Sequence, residues 1–186
     1  MSTELEAKLE ELYRVPEDGK AEIVDGELVL MPPTGFLPGY AGGEIFASLR
    51  EYARRTGQGY ALPDNVGFLV DLPNRRSFSP DAAFYVGEPT GGKFLDGAPV
   101  FAVEVRSESD YGEAAEDALK RKRDDYFASG TLVVWDVDVL RDQAVRVYRT
   151  DSPEQATIFG RGEEAEAEPA VPGWVLAVDS LFPGRA

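Results

Sequence analysis

The sequence predicts a mixed α/β fold, in which a central mixed β-sheet is flanked by helices and preceded by an N-terminal β-hairpin. Segments with helical hydrophobic spacing alternate along the chain with short apolar segments rich in β-branched and aromatic residues. Residues 99–105 form a nearly continuous apolar run, which is typical of a strand covered on both faces. A length of 186 residues, 43% of them hydrophobic, fits one compact domain, so we predict a single domain over residues 1–186.

The first third of the chain predicts two helices separated by a hairpin. Leucines recur at helical spacing over residues 3–13, which indicates a short amphipathic helix. Residues 21–31 contain two apolar segments around Asp25-Gly26, a dipeptide that favours the positive φ angles of a tight hairpin turn. A glycine-rich loop then leads into a second predicted helix, and Glu44 is expected in its first turn.

The rest of the chain predicts the strands of the sheet and one long helix. The helix is expected over residues 111–129, between two strongly apolar segments. The acidic segment 163–168 is expected to be an exposed loop, and residues 171–182 a last strand with a docked terminus. The predicted strands before them cover residues 65–72, 78–86, 99–105, 131–137 and 143–149.

Composition excludes several classes of function. The chain has no histidine and no cysteine, which removes Ser-His-Asp and Cys-His nucleophiles, zinc sites of the Cys/His type, iron–sulfur clusters and disulfide frameworks. Acidic residues number 34 and basic residues 19, for a formal net charge of −15. This balance argues against broad nucleic-acid affinity, because DNA-binding proteins normally present a basic face to the phosphates.

Location is predicted from apolar runs and from the amino terminus. No run approaches the ~18 apolar residues that span a bilayer, so no membrane association is expected. The first twelve residues are acidic and lack the basic and apolar regions of a signal peptide. A cytoplasmic protein is therefore expected.

Asp81, Glu104 and Lys122 are the strongest candidates for chemistry. Asp81 follows a proline at the start of one predicted strand, and Glu104 ends another. At about 100° per residue, Lys122 falls within the apolar stripe of its helix, whereas Lys120 falls on the opposite side. A lysine in a buried stripe requires a carboxylate partner unless it reaches past the stripe to water. Two carboxylates and an ammonium are groups that metal-dependent phosphodiester hydrolysis uses.

At these residues the chain resembles the Uma-type family of putative restriction endonucleases, within the PD-(D/E)XK nuclease superfamily. The resemblance extends over most of the chain and depends on the order and spacing of several short motifs. Many relatives carry a histidine near the start of the Glu44 helix, which this chain lacks. The motifs are EIVDGELVLMPPTG at 22–35, SPDAAFYV at 79–86, FAVEVRSESD at 101–110, LVVWDVD at 132–138 and VPGWVLAVDSLF at 171–182.

The resemblance implies a restriction-endonuclease-like sheet and a metal-dependent endonuclease acting on DNA. Asp81 and Glu104 would be the metal ligands, with Mg²⁺ as the cofactor and Mn²⁺ as a possible substitute. Lys122 would be the catalytic lysine and Glu44 a further acid. In the simplest superfamily motif the lysine stands two positions after the glutamate, where this chain has Arg106. Because two protomers would be needed to cut both strands at once, a homodimer is expected.

Two other classes of function remain open from the sequence. A non-catalytic acidic module with a nuclease fold, which binds a protein partner, agrees better with the charge of −15. An Asp/Glu pair can also hydrolyse glycosidic bonds without a metal. The segment Gly87 to Lys93 superficially matches a phosphate-binding loop, but Phe94 stands where that motif requires Ser or Thr.

Overall fold

The structure is a computed structural model that describes residues 3–15 and 19–184. Its elements alternate as the mixed α/β prediction requires. In chain order they are α1 (Thr3–Tyr13), β1 (Lys20–Val24), β2 (Glu27–Met31), α2 (Phe36–Thr56), β3 (Tyr60–Pro63), β4 (Phe68–Leu69), β5 (Ser77–Phe78), β6 (Ala82–Tyr85), β7 (Leu95–Asp96), β8 (Phe101–Val105), α3 (Glu113–Ala128), β9 (Val133–Asp138), β10 (Ala144–Arg149), β11 (Ser152–Phe159), β12 (Glu164–Glu166), β13 (Val175–Ala177) and a 3₁₀ turn (Val178–Leu181).

A six-stranded mixed sheet forms the centre of the fold, in the order β11-β10-β9-β8-β6-β3. Strands β8 and β9 are parallel, and every other neighbouring pair in this sheet is antiparallel. Helix α3 makes the crossover that a parallel pair needs. The predicted central mixed sheet with flanking helices is therefore confirmed.

The two faces of the sheet are covered by different helices. On one face, Ile45 and Leu49 of α2 pack into a core with Phe101 and Trp135. On the other face, Tyr126 of α3 lies in a second apolar cluster and stacks on Phe78, with ring centroids 4.0 Å apart. Strand β8 contributes side chains to both clusters, which accounts for its nearly continuous apolar sequence.

The N-terminal hairpin forms a separate two-stranded sheet that docks beside the central one. Its turn residues Asp25 and Gly26 have φ angles of 50° and 74°, the positive values predicted for this dipeptide. The backbone N–H of Ile23 donates to Ser77 Oγ at 2.8 Å, and the N–H of Arg76 donates to the Ile23 carbonyl at 3.0 Å. These bonds fix β1 next to the segment that leads into β6.

The position predicted for Glu44 is wrong. Helix α2 begins at Phe36, so Glu44 lies in its third turn and not in its first. The early start includes Pro38, which fits the first turn because the missing N–H has no intrahelical acceptor there. Glycine at 39, 42 and 43 made this segment resemble a loop.

Several strand boundaries also differ from the predictions. The segments 65–72 and 78–86 contain only β4, the last residue of β5 and β6, and strands β3, β7 and β11 were not predicted. Residues 163–168, predicted as an exposed loop, contain β12 with Ala165 and Ala167 buried. Among the helices within the described residues, none is long and apolar enough to cross a membrane.

Candidate active site

A cleft of about 1030 Å³ lies where the hairpin, the end of β8 and helix α3 meet. Its lining includes the three candidates Asp81, Glu104 and Lys122. Strand β1 adds Lys20 and Glu22, which point to the same side of the strand because they are two residues apart. The cleft is therefore lined by charged groups of both signs from four separate elements of the chain.

The two predicted carboxylates come from neighbouring strands of the central sheet. Asp81 immediately precedes β6, and its backbone N–H donates to the Val103 carbonyl at 2.9 Å. Its Oδ2 accepts a 2.7 Å hydrogen bond from the N–H of Val105, the residue after Glu104. The side chains of Asp81 and Glu104 are 23% and 15% exposed, so both are half-buried at the edge of the cleft.

Lys122 reaches from α3 into the cleft and is held by two carboxylates. Its Nζ lies 2.8 Å from Glu104 Oε2 and 2.9 Å from Glu22 Oε1. The other oxygen of Glu104, Oε1, accepts a 2.7 Å hydrogen bond from the Tyr126 hydroxyl one turn further along α3. Helix α3 thus fixes the glutamate at the end of β8 through two side chains.

Glu22 is a member of the cluster that was not predicted from the sequence. It is buried, and its carboxylate accepts hydrogen bonds from Arg75 Nη1 at 2.6 Å and from the Ser79 N–H at 2.8 Å. Arg75 Nε in turn donates to Asp125 Oδ2 at 2.8 Å. The docking of the hairpin creates this network, and the sequence of β1 alone carries no signal for it.

Glu44 lies on α2 and is not among the described residues that line the cleft. Its side chain is half-buried. Gly42, two residues earlier, approaches Asp81 closely, since a Cβ built on Gly42 would lie 3.6 Å from the Asp81 carbonyl oxygen. Helix α2 therefore packs against Asp81 through its backbone, while Glu44 is not part of the cleft lining.

The electrostatics of the cleft hold Lys122 in its charged form. Burial alone would lower the pKa of Lys122, but Glu104 and Glu22 outweigh it and raise that pKa above its ordinary value. Burial raises the pKa of Glu104, an effect that Lys122 partly offsets and that Asp81 and Glu22 reinforce. Near neutral pH Lys122 is therefore a charged hydrogen-bond donor and not a base.

Comparison with known proteins identifies the family. The sequence matches the model of the Uma2 family, described as "Putative restriction endonuclease", over residues 7–179. The chain belongs to this family. Its fold is similar to the crystal structure of a putative nuclease belonging to DUF820 from Anabaena variabilis, with a TM-score of 0.73. The two chains are 18% identical, and the match covers 94% of this chain and 96% of that one. The comparison with curated proteins finds no match.

This Uma2 chain carries Arg106 where the simplest nuclease motif has its lysine. Arg106 lines the cleft, but its guanidinium is buried and points into a separate network. Its Nε and Nη2 each donate to the Asp136 carboxylate at 2.7 Å, and Nη2 also donates to Glu116 Oε2 at 2.9 Å. Arg106 therefore ties β8 to β9 and to the first turn of α3.

Ser107 and Asp110, which also match family motif positions, order the loop that follows β8. The carboxylate of Asp110 accepts hydrogen bonds from the Ser107 N–H at 2.6 Å and from the Ser107 hydroxyl at 2.7 Å. This closed turn leads the chain from Glu104 towards the start of α3. It thereby helps to set the position from which Lys122 returns to the cleft.

The cleft's donor set fits the divalent cation that the Uma2 resemblance implies. Within residues 3–15 and 19–184, no group of three or more His, Cys, Asp or Glu side chains is placed to hold a metal ion. Mg²⁺ in phosphoryl-transfer sites commonly takes only one or two carboxylates and completes its coordination with water and substrate phosphate. Asp81 and Glu104 are two hard oxygen donors on adjacent strands at the cleft surface, which meets that requirement.

Glu22→Gln tests the electrostatics of the cleft through the pH dependence of stability. Burial would raise the pKa of Glu22, but Lys122, Arg75 and the Ser79 N–H outweigh it and lower that pKa below 4.5. Its charge therefore contributes stability above pH 4.5 that is lost as the pH falls through its folded pKa. Glu22→Gln should lower the free energy of unfolding at pH 7 and flatten its decline in acid.

Urea unfolding followed by tryptophan fluorescence between about pH 3 and pH 7 measures this effect. The pKa of Glu104 is raised, so Glu104 makes the free energy of unfolding change with pH in the opposite direction to Glu22. Glu104 is therefore left unchanged in the unaltered protein and in Glu22→Gln. Glu51→Gln, on the exposed surface of α2, is the matched control. An acid dependence identical in Glu22→Gln and Glu51→Gln would contradict the assignment.

Proposed function

We propose that this chain is a metal-dependent endonuclease that hydrolyses phosphodiester bonds in DNA. The observation that carries the proposal is the convergence of Asp81, Glu104 and Lys122 in one cleft, with Lys122 Nζ 2.8 Å from Glu104 Oε2. Family membership and the nuclease fold support it. The cofactor in this proposal is Mg²⁺, with Mn²⁺ as a substitute, and the active form is a homodimer in the cytoplasm.

The two carboxylates and Lys122 have different roles in this proposal. Asp81 and Glu104 hold the cation, which when bound would stabilise charge on the phosphate oxygens and lower the pKa of a coordinated water. Lys122, charged at neutral pH, donates a hydrogen bond that orients the attacking water or a phosphate oxygen. Tyr126 and Glu22 keep Glu104 and Lys122 in place. Glu44 would assist through an intervening water, since it does not line the cleft.

Plasmid cleavage tests the proposal. The purified protein is expected to nick or linearise supercoiled plasmid in Mg²⁺ or Mn²⁺ and to be inactive in EDTA. Glu104→Gln and Asp81→Asn should each lower the cleavage rate at least about a hundredfold, because they remove proposed metal ligands. Glu44→Gln should have a smaller effect. Cleavage rates in Glu104→Gln and Asp81→Asn equal to that of the unaltered protein would rule out this site.

A non-catalytic module that binds a protein partner is the second candidate function. It is favoured by the ion pairs within the cleft. Asp81, Glu104 and Glu22 are each already paired with a lysine or an arginine of the same chain. The charge of −15 also opposes DNA binding at long range. This candidate predicts no cleavage of any nucleic acid by the purified protein in Mg²⁺ or Mn²⁺, which the plasmid assay measures.

A further inference from the structure

Lys20 is a second lysine in the cleft, and it contacts the carboxylate proposed to bind metal. Its Nζ lies 2.7 Å from Asp81 Oδ1 and 2.7 Å from Asp64 Oδ1. The side chain is only 14% exposed, although it belongs to the first residue of β1. The family motif that begins at residue 22 does not include Lys20, and the proposed chemistry leaves it without a role.

The contacts of Asp81 show what Lys20 occupies. Asp81 Oδ2 accepts the 2.7 Å hydrogen bond from the Val105 N–H, so Oδ1 is the oxygen free of the backbone. Lys20 Nζ contacts that oxygen. A cation bound at Oδ1 would meet the ammonium at close range, and two positive charges repel strongly in a half-buried site. Lys20 and a metal ion therefore compete for the same face of Asp81.

Asp64 is a second carboxylate partner of Lys20, and it is not one of the proposed metal ligands. Its side chain is 49% exposed at the cleft lining and accepts the same ammonium at 2.7 Å. If Lys20 leaves Asp81, it can keep an ion pair with Asp64 and remain close to water. Exchange of partners therefore avoids leaving a buried unpaired lysine, which would be strongly unfavourable.

We propose that Lys20 is a tethered counter-ion that occupies Asp81 in the metal-free cleft and yields to the divalent cation by shifting to Asp64. The inference rests on the proposed function, because it concerns the same metal position. It assigns Lys20 a role in setting metal affinity: the protein's own ammonium offsets part of the negative charge of the cleft and makes metal binding weaker than the carboxylates alone would allow.

Mn²⁺ titration by calorimetry tests this role without relying on cleavage. Lys20→Met and Lys20→Gln should each bind Mn²⁺ about tenfold more tightly than the unaltered protein, because a competing charge is removed. Mn²⁺ should also raise the melting temperature of these variants more than that of the unaltered protein. Lys120→Met is the matched control, since Lys120 is an exposed lysine on α3 that pairs with Asp124 and Glu154 away from the cleft.

The outcomes separate this inference from the proposed function. Tighter binding in both Lys20 variants but not in Lys120→Met supports the counter-ion role. Equal or weaker binding in the Lys20 variants, with Mn²⁺ binding and cleavage intact in the unaltered protein, overturns the role of Lys20 and leaves the nuclease proposal standing. Absence of Mn²⁺ binding in all four proteins overturns both. Circular dichroism in EDTA verifies folding, and Lys20→Gln keeps a polar side chain if Lys20→Met does not fold.

Discussion

Replacing Lys122 by methionine is expected to lower the rate of plasmid cleavage by about 10²–10³ and the free energy of unfolding by about 3–5 kcal/mol. The loss of activity follows from removing the charged donor beside Glu104. The loss of stability follows because Glu22 and Glu104 both pair with Lys122 in a half-buried to buried setting. Without the ammonium, these two acids lose a shared positive partner.

Lys120→Met provides the control for this prediction, because it removes the same charge from the exposed side of the same helix. Its lysine forms only surface ion pairs, so the free energy of unfolding should change by less than about 1 kcal/mol. Cleavage in Lys120→Met should stay close to that of the unaltered protein. Urea unfolding and plasmid cleavage, both measured well below the melting temperature, give the two readouts.

A double variant separates the structural effect of Lys122 from the catalytic one. Glu22→Gln added to Lys122→Met removes the charge of a carboxylate that has lost Lys122 but keeps Arg75, so it should cost less stability in this background than in the unaltered protein, as a double-mutant cycle would register. It should recover no cleavage, because the donor beside Glu104 is still missing. If Lys122→Met unfolds at the same urea concentration as the unaltered protein, Lys122 is not paired as described.

Lys122 could be predicted from the sequence because its signal is local. The helical wheel placed a lysine within an apolar stripe, and the structure gives that lysine two carboxylate partners. Asp81 and Glu104 were likewise recognisable as acids at the ends of apolar strand segments. Each of these signals depends only on the few residues around it, and the strand order then brings the three side chains to one cleft.

Glu22 and Lys20 could not be predicted in the same way. Their contacts with Lys122 and Asp81 span tens of residues and exist only because the hairpin docks beside the segment before β6. In the sequence, charged residues in a short hairpin strand are ordinary solvent-facing residues. Hairpin docking is a tertiary contact, which periodicity within one element does not encode.

The acidic segment 163–168 carries a local strand signal beneath its high charge density. Its composition indicated an exposed loop, yet alanine alternates with glutamate at a period of two residues. The structure buries Ala165 and Ala167, and it leaves Glu164 and Glu168 exposed. Trp135 Nε1 also donates to the Glu166 carbonyl at 3.0 Å. Alternation of small and charged residues predicts a half-buried strand even where the charge density is high.

Arg106→Lys places a lysine two positions after Glu104, as in the simple nuclease motif. It is expected to lower stability and not to supply the ammonium that Lys122 provides. Lysine keeps the positive charge but loses the planar fork that binds the Asp136 carboxylate through Nε and Nη2. The free energy of unfolding should therefore fall by about 2–3 kcal/mol, the range for charge-assisted hydrogen bonds lost in a buried site. Arg54→Lys, at an exposed position in the last turn of α2, is the matched control and should change stability little.

The double variant Arg106→Lys/Lys122→Met decides which position supplies the ammonium. The Arg106 guanidinium is paired with Asp136 and Glu116, whereas Lys122 contacts Glu104 directly. A lysine at 106 should stay paired with Asp136. If it turned towards Glu104, the buried Asp136 carboxylate would lose its main partner. The double variant should therefore remain as inactive on plasmid as Lys122→Met alone. Recovered cleavage would mean that a lysine at position 106 can reach the reacting groups and can replace Lys122 of α3.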